Sequence, residues 1–451
     1  MTLVSAPPPV GVPSDWRFPT YEQSRLASGL RVLAYHCPGQ YVVAASLLFD
    51  VPLSAEPRDR EGVAELTARC LTRGAGEMAA EEFADALASS GADLEGSASP
   101  DGFALRLTVP VTQLPRGLDL MALAVSSPTF AEEEFTHEQA LRLQEIDQVH
   151  AYPQHVASEE LNAALFGTQR SARPAGGTPS TVRAMTRADV VDYATAHLVP
   201  AAATLILAGD FGSADPMSTV GRSFGDWQRP AQPAADFERP APVEQAQLLL
   251  VDWPDALQAT LRVAGRALTR TDPLWPATFV ANHAVGGSFS SRINTVLREE
   301  KGYTYGATSG LETGRHTGMF SVSTAVRADA TADAVADIVR IVAAASGSIT
   351  DDEVAMAVRA ATQSAPLGYE RAEAVVGRVE LLLSQQLPLD HVDANLQRIR
   401  AVTTAGANAA WAQVIDPQAL TVVVVGDAAS AREGLAAWGY AGLREVTPAW
   451  R

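Results

Sequence analysis

Arg298 and Tyr305 are the residues whose types and spacing could do chemistry. An arginine offers a rigid, planar fork of donors and a tyrosine a single hydroxyl. Together they could hold a peptide carbonyl and stabilise the negative charge that develops on its oxygen during hydrolysis. Both lie in one stretch, Gly286 to Gly306, reading Gly-Gly-Ser-Phe-Ser-Ser-Arg-Ile-Asn-Thr-Val-Leu-Arg-Glu-Glu-Lys-Gly-Tyr-Thr-Tyr-Gly. A plain structural role is the alternative: Arg298 pairs with Glu299 or another acid, and Tyr303 and Tyr305 are half-buried strand residues.

The elements that must position these groups are legible in outline. Gly286 and Gly287 open the stretch, and Ser288 is placed to cap a helix. Phe289, Ile293, Val296 and Leu297 recur at helical spacing and predict one apolar face. Gly302 suits the left-handed residue that closes a helix. Beyond it, Tyr303 and Tyr305 would share one face of a strand, with Thr304 opposite. The expectation is helix, glycine stop, strand.

This stretch resembles the signature of the second half of the M16 peptidases, the insulinase, pitrilysin and mitochondrial processing peptidase family. The resemblance rests on Gly-Gly, Phe-Ser-Ser-Arg and Leu-Arg-Glu-Glu-Lys-Gly-x-x-Tyr. It implies that Arg298 and Tyr305 contact substrate in a zinc peptidase site, and that Gly286, Gly287 and Ser288 belong to the substrate-binding wall. It also implies an α+β fold of two tandem homologous α/β-sandwich domains (LuxS-MPP-like), half of a clamshell chamber.

A peptidase of this family also needs a metal site in its first domain. Its chemistry is two histidines at i and i+4 holding zinc, a glutamate between them as base, and a distant glutamate as third ligand. The corresponding frame here is Gly62-Val-Ala-Glu-Leu-Thr-Ala-Arg-Cys-Leu-Thr-Arg-Gly74. Glu65 and Arg69 stand where the histidines belong, Ala68 replaces the base, and Glu145 falls near the third ligand. Glu65 and Arg69 form an i, i+4 pair in the favourable order, worth about 0.3–0.5 kcal/mol if exposed. No metal is expected in this chain. Among the eight histidines, none stand at i, i+4 with a carboxylate between them, and His150 and His155, flanking a proline-containing turn, read as solvated. The serines near Gly286 have no visible histidine and acid partners, and Gly286-Gly287-Ser288 lacks the lysine of a phosphate loop.

Length and composition bound the rest. A chain of 451 residues is long for a single core, so two or more domains are expected. A net charge of −18 argues against nucleic acid and against docking on anionic membrane, both of which need a basic surface. Cys37 and Cys70 make no disulfide framework, the first residues carry no basic and apolar leader, and no apolar run approaches the ~20 residues of a membrane span. A cytoplasmic location follows as an expectation. Lysine occurs once, at Lys301, among 34 basic residues, a usage that reads as coding bias.

Along the chain, strands at 42–49 and 103–109 and helices near 61–73, 80–89, 111–125, 131–150 and 155–166 are expected, then a helix at 188–197 leading into an apolar strand. Pro200, Thr204, Gly209 and Asp210 return as Pro417, Thr421, Gly426 and Asp427, at a constant offset of 217. Two copies of one α+β unit is the natural reading. The expected division is an extended arm at 1–20, a first domain with the degenerate metal motif at 21–227, a proline-rich linker at 228–244, and a second domain with the Arg/Tyr motif at 245–451. The resemblance then implies the non-zinc subunit of a heterodimeric M16 metallopeptidase, its partner a zinc-bearing homologue and its substrate a peptide. The alternative is an inactive M16-like scaffold or peptide-binding protein.

Overall fold

A computed structural model describes residues 16–230, 233, 235–239, 243 and 245–448. The first fifteen residues of the expected arm, seven positions of the expected linker and the last three residues lie outside this description.

The repeat appears as two six-stranded sheets. The first holds β1 (Tyr21–Arg25), β2 (Arg31–His36), β3 (Val42–Phe49), β4 (Asp93–Ser99), β5 (Gly102–Pro110) and β6 (Ala203–Gly209), in the order β1-β2-β6-β3-β5-β4. The second holds β7 (Gln247–Asp252), β8 (Gln258–Arg266), β9 (Ala307–Thr313), β10 (Gly318–Arg327), β11 (Thr421–Gly426) and β12 (Leu443–Val446), in the order β12-β7-β11-β8-β10-β9. Five strands of each sheet share one order and one set of directions. β2 runs parallel to β6 as β7 does to β11, and the remaining pairs are antiparallel. Only the edges differ: β1 adds antiparallel to β2 through a hairpin, whereas β12 adds parallel to β7.

Both faces of each sheet are covered, which is why β3, β6, β7 and β11 are nearly all apolar and buried. Alternation along the strands sorts their side chains between two cores. Val43, Ala45, Leu47 and Phe49 face helices of their own half, with Leu66, Leu118 and Met121. Ala44 and Leu48 face the other way, onto helix Ala372–Ser384 of the second half, whose Val375, Val376 and Val379 are buried against them. The second sheet repays this exchange. Leu248, Leu250, Val422 and Val424 pack within their own half, while Leu249, Val251, Val423 and Val425 receive Val156, Leu161 and Leu165 of helix Pro153–Phe166. At about 1.5–3 kcal/mol for each fully buried aliphatic side chain, the exchanged faces make the two halves one cooperative body.

Polar ties reinforce the junction. Arg106 of β5 grips Glu380 at 2.8 and 2.5 Å, and the backbone N–H of Arg315 donates to Asp101 at 2.8 Å while its guanidinium pairs with Asp50. The end of the expected arm is docked: Trp16 stacks on Tyr369, Phe18 is buried, and the Phe18 N–H donates to Asp393 at 3.0 Å.

Two local expectations are corrected. The helix expected near 61–73 is shorter, Val63–Cys70, and its start is capped from a distance: buried Glu56 accepts from the N–H groups of Gly62 and Ala64 at 3.0 and 2.9 Å. Gly62 has φ +100°, and a Cβ there would meet the carbonyl carbon of Gly176 at 2.8 Å. His150 is not simply solvated; its side chain is mostly buried, with Nε2 3.1 Å from Glu159.

Candidate functional site

The first-half constellation is a closed network of charges. Helices Val63–Cys70 and Glu132–Val149 lie side by side, and Arg69 reaches from the first to the second. Its Nη1 and Nη2 donate to Glu145 at 2.9 and 2.7 Å in a bidentate fork, and its Nε donates to Glu65 at 3.0 Å. Glu138, with a side chain 2 % exposed, lies 3.7 Å from Arg69 and accepts from Arg73 Nε at 2.6 Å. Arg142 closes the ring, donating to Glu145 at 3.2 Å and to the Gly176 carbonyl at 3.1 Å. Three arginines thus face three glutamates. Burial alone would raise the Glu145 carboxyl, but Arg69 and then Arg142 override it and hold it below the usual carboxylate range. Burial and the Glu138 carboxylate push the neighbouring Cys70 thiol up to about 12, so it stays protonated.

The Arg69 guanidinium sits in the midst of the carboxylates, where a cation belongs. Ala68 is fully buried, and its helix lies so close to β4 that a Cβ on Gly96 would come within 2.2 Å of the Ala68 carbonyl oxygen. Among the described residues no three His, Cys, Asp or Glu side chains form a metal-holding group. A zinc ion does not fit this group: it holds carboxylates and no imidazole, and the Arg69 guanidinium in their midst would repel the ion.

The second-half stretch folds differently from the expected single helix. Helix Trp275–Asn282 widens into a π-turn over His283–Gly287, breaks at Ser288–Ser291, resumes at Arg292–Asn294 and widens again over Thr295–Glu300. Ser291, not Ser288, takes the cap position. Two buried asparagines impose the break. Asn294 Nδ2 donates to the carbonyls of Ser288 at 3.2 Å and Ala307 at 2.8 Å, and its Oδ1 accepts from the Ala307 N–H at 2.9 Å. Asn282 Oδ1 accepts from Ser309 Oγ at 2.6 Å. Gly286 and Gly287 are needed beside them, since a Cβ would meet Ser309 Oγ at 2.5 Å or Asn282 Nδ2 at 2.9 Å respectively. Gly302, at φ +60°, closes the helix as expected, with the Tyr303 N–H bonding back to Leu297.

The side chains are correspondingly redistributed. Ile293 and Leu297 are buried as predicted, but Phe289 is 70 % exposed. Its ring serves as a shelf for Arg298, whose guanidinium carbon stands 4.1 Å above it. Arg298 Nη1 is 3.1 Å from Glu299, realising the plain structural pairing, yet that atom is buried without an aligned hydrogen bond. Residues 303–306 form a turn, not a strand, because Thr304 Oγ1 accepts from the Gly306 N–H at 3.0 Å. The turn tucks Tyr303 against the second core and throws Tyr305 outward, 92 % exposed. Arg298 and Tyr305 share no hydrogen bond. Lys301 is bonded to Asp337 at 2.5 Å.

Neither constellation lines the cavity of about 570 Å³ between the two halves, which has Arg106, Glu312, His316 and Glu380 among its walls. Sequence reasoning missed Glu138, Arg73 and Arg142, although Arg73 is one turn beyond Arg69 and Glu138 two turns before Glu145, both on predictable faces. It also missed Asn282, Asn294 and the Phe289 shelf, which no periodicity marks.

Comparison with known proteins follows this geometry closely. Residues 31–178 match the model of the insulinase family, peptidase family M16, and residues 184–361 match that of the peptidase M16 inactive domain. The chain belongs to peptidase family M16. An uncharacterized zinc protease of Mycobacterium leprae is 26 % identical over 400 residues, 87 % of this chain and 89 % of that protein. The crystal structure of a peptidase M16 inactive domain from Pseudomonas fluorescens superposes with a TM-score of 0.83 at 22 % identity, over 90 % of this chain and 98 % of the other. A chain of Complex III2 from Candida albicans has the same fold, with a TM-score of 0.76 at 13 % identity over 92 % of this chain and 99 % of that one. These likenesses extend the M16 fold, with its two tandem α+β domains, to about nine-tenths of the chain. No described helix is long and apolar enough to cross a membrane.

Proposed function

We propose that this chain is the non-zinc subunit of a two-chain M16 peptidase. A zinc-bearing homologue supplies metal and base, and this chain supplies Arg298 and Tyr305 to the peptide. The observation that carries the reading is Tyr305, a large aromatic residue thrown 92 % into solvent with no intramolecular hydrogen bond. A shape-only protein has no use for it there. Its hydroxyl is a free donor for a peptide carbonyl, and Arg298, fixed flat on Phe289, retains a buried Nη1 still without an aligned acceptor. Gly286, Gly287 and Ser288 form the adjoining wall. No metal is assigned to this chain, because Arg69 fills the position of the cation in the first half. The two unpaired, buried thiols of Cys37 and Cys70 suit a reducing compartment, and we place the protein in the cytoplasm.

The second reading is a catalytically inactive scaffold or peptide-binding protein. It is favoured by the Arg298–Glu299 ion pair, which gives the arginine an ordinary partner. The test co-expresses the chain with an M16 homologue that retains His-x-x-Glu-His and measures peptide cleavage by each alone and by the pair. The proposal expects activity in the pair, little in the partner alone and none in this chain alone. Equal activity of the partner with and without this chain overturns it.

A further inference from the structure

The cavity between the two halves has one corner built by elements of both. Glu312 of β9 stands directly opposite Met319 of β10, so their side chains project from the same face of the second sheet. Helix Pro153–Phe166 of the first half covers that face, and its Phe166 shares one core with Met319. Asn162 lies one turn before Phe166 on the same side of the helix. All four residues line the cavity of about 570 Å³, a size that admits a small organic molecule.

The arginines of these walls are all committed within the protein: Arg106 to Glu380, Arg170 to Glu56 and Arg173 to Glu61. The acids are not. Asp101 and Glu238 accept backbone N–H groups, from Arg315 at 2.8 Å and from Arg170 at 2.9 Å. Glu312 pairs with no cation, and among the described residues it accepts only from Ser321 Oγ, at 2.5 Å. Arg266, opposite Met319 on β8, stands outside these walls and has partners of its own. The Asn162 amide makes no hydrogen bond to a described residue. Burial, then Arg239 and Arg315, hold the His316 imidazole below its usual range, so it brings no positive charge at neutral pH. A carboxylate without a cation beside an aromatic ring, a thioether and a free amide oxygen suits an organic cation. The acid neutralises the charge, the amide oxygen accepts a second N–H, and ring and thioether bed the apolar body.

We infer that Glu312, Asn162, Phe166 and Met319 form a binding site for an organic cation, an ammonium or guanidinium carried on an apolar body, separate from Arg298 and Tyr305. Such a cation comes either as a free amine or as a basic side chain of a peptide. Calorimetric titration of the full chain at neutral pH and constant ionic strength tests this with tryptamine and with the blocked dipeptide N-acetyl-phenylalanyl-arginine amide. Each has a neutral counterpart, tryptophol and the same dipeptide carrying citrulline. At least one of the two cations is expected to bind saturably at one equivalent, with its counterpart at least about fivefold weaker. Tighter tryptamine assigns a free amine, and a tighter dipeptide assigns a peptide-borne side chain. Glu312→Gln keeps an acceptor for Ser321 and removes the charge, and should weaken binding of the cation at least about fivefold. No saturable binding of either cation, a neutral counterpart binding within fivefold, or a folded Glu312→Gln variant binding within fivefold overturns the site. Should that variant fail to fold, Asn162→Ala, held to the same fivefold criterion, and the neutral counterparts decide.

Discussion

The two halves carry the same strand order and opposite electrostatic styles at the positions where M16 chemistry is expected. In the first half, Arg69, Arg73 and Arg142 are matched by Glu65, Glu138 and Glu145, and each charge has its partner within the protein. In the second, Phe289 and Tyr305 stand in solvent and Arg298 Nη1 lacks an aligned acceptor. A closed network is a structural element, whereas an open one is available for a ligand. The difference teaches that charges satisfied within one half leave those of the other half open.

The largest expected effect tests the open half. Tyr305→Phe keeps the ring and removes one donor, so turnover by the reconstituted pair should fall roughly 10²–10³-fold, equivalent to about 2.7–4 kcal/mol of barrier. Arg298→Lys loses the planar fork and should also be damaging. Because Tyr305 touches almost nothing, its variant should unfold within about 0.5 kcal/mol of wild type. Near-normal cleavage by both variants in assembled pairs would break the comparison and favour the scaffold reading.

The closed half should respond in the opposite sense. Arg69→Met leaves Glu65 without its cation, Glu145 with Arg142 alone and the buried Glu138 with Arg73 alone, and should cost about 1–3 kcal/mol of stability, read as a lower urea midpoint. Its effect on cleavage should be no more than the loss of folded protein explains. A variant as stable as wild type would show that the network is ornamental.

Asn294→Ala removes the amide joining Ser288 to Ala307. The Ser288 carbonyl keeps the Ser291 N–H at 3.1 Å, but the Ala307 carbonyl and N–H lose their amide partner, and about 2 kcal/mol of destabilisation is expected. It should also reduce cleavage without altering the stability contribution of Arg69, because the two sites lie in different cores. Coupling between the two substitutions in a double-mutant cycle would refute that independence.

The smallest effect is a pH dependence. Glu145 is held below its unfolded value, near 4.3, so its pairing stabilises the fold fully above that pH and is lost as pH falls through the depressed folded value. The stability gap between wild type and Arg69→Met should therefore be constant near neutrality and narrow below about pH 4. A gap that widens in acid would contradict the assigned pairing.

The sequence made the architecture legible because its signals were redundant. The offset of 217 between Thr204–Asp210 and Thr421–Asp427 foretold two sheets, and the frame from Gly62 to Gly74 foretold a helix, though a shorter one, Val63–Cys70. The i, i+4 pairing of Glu65 and Arg69 was read correctly, but Arg69 also reaches Glu145 on another helix, a contact that only tertiary packing creates. The motif helix was misread for the same kind of reason. Periodicity reports an unbroken helix, while Asn282 and Asn294 bend the chain through hydrogen bonds to distant backbone. Tyr305 was assigned to a strand because alternation extends naturally past Gly302, yet the Thr304 hydroxyl closes a turn there.

The exchange of helices has a consequence during synthesis. When β6 leaves the ribosome the first sheet is complete, but the helix that covers its outer face ends only at Ser384. Roughly 175 residues remain to be made, about 10–35 s at ~5–20 residues per second. Throughout that interval Leu33, Tyr35, Ala44, Leu48 and Ile206 form a bare apolar sheet on a tethered chain. The nascent protein is therefore a natural client for a chaperone, and a ribosome stalled between the two halves would release an aggregation-prone fragment in place of a free-standing domain.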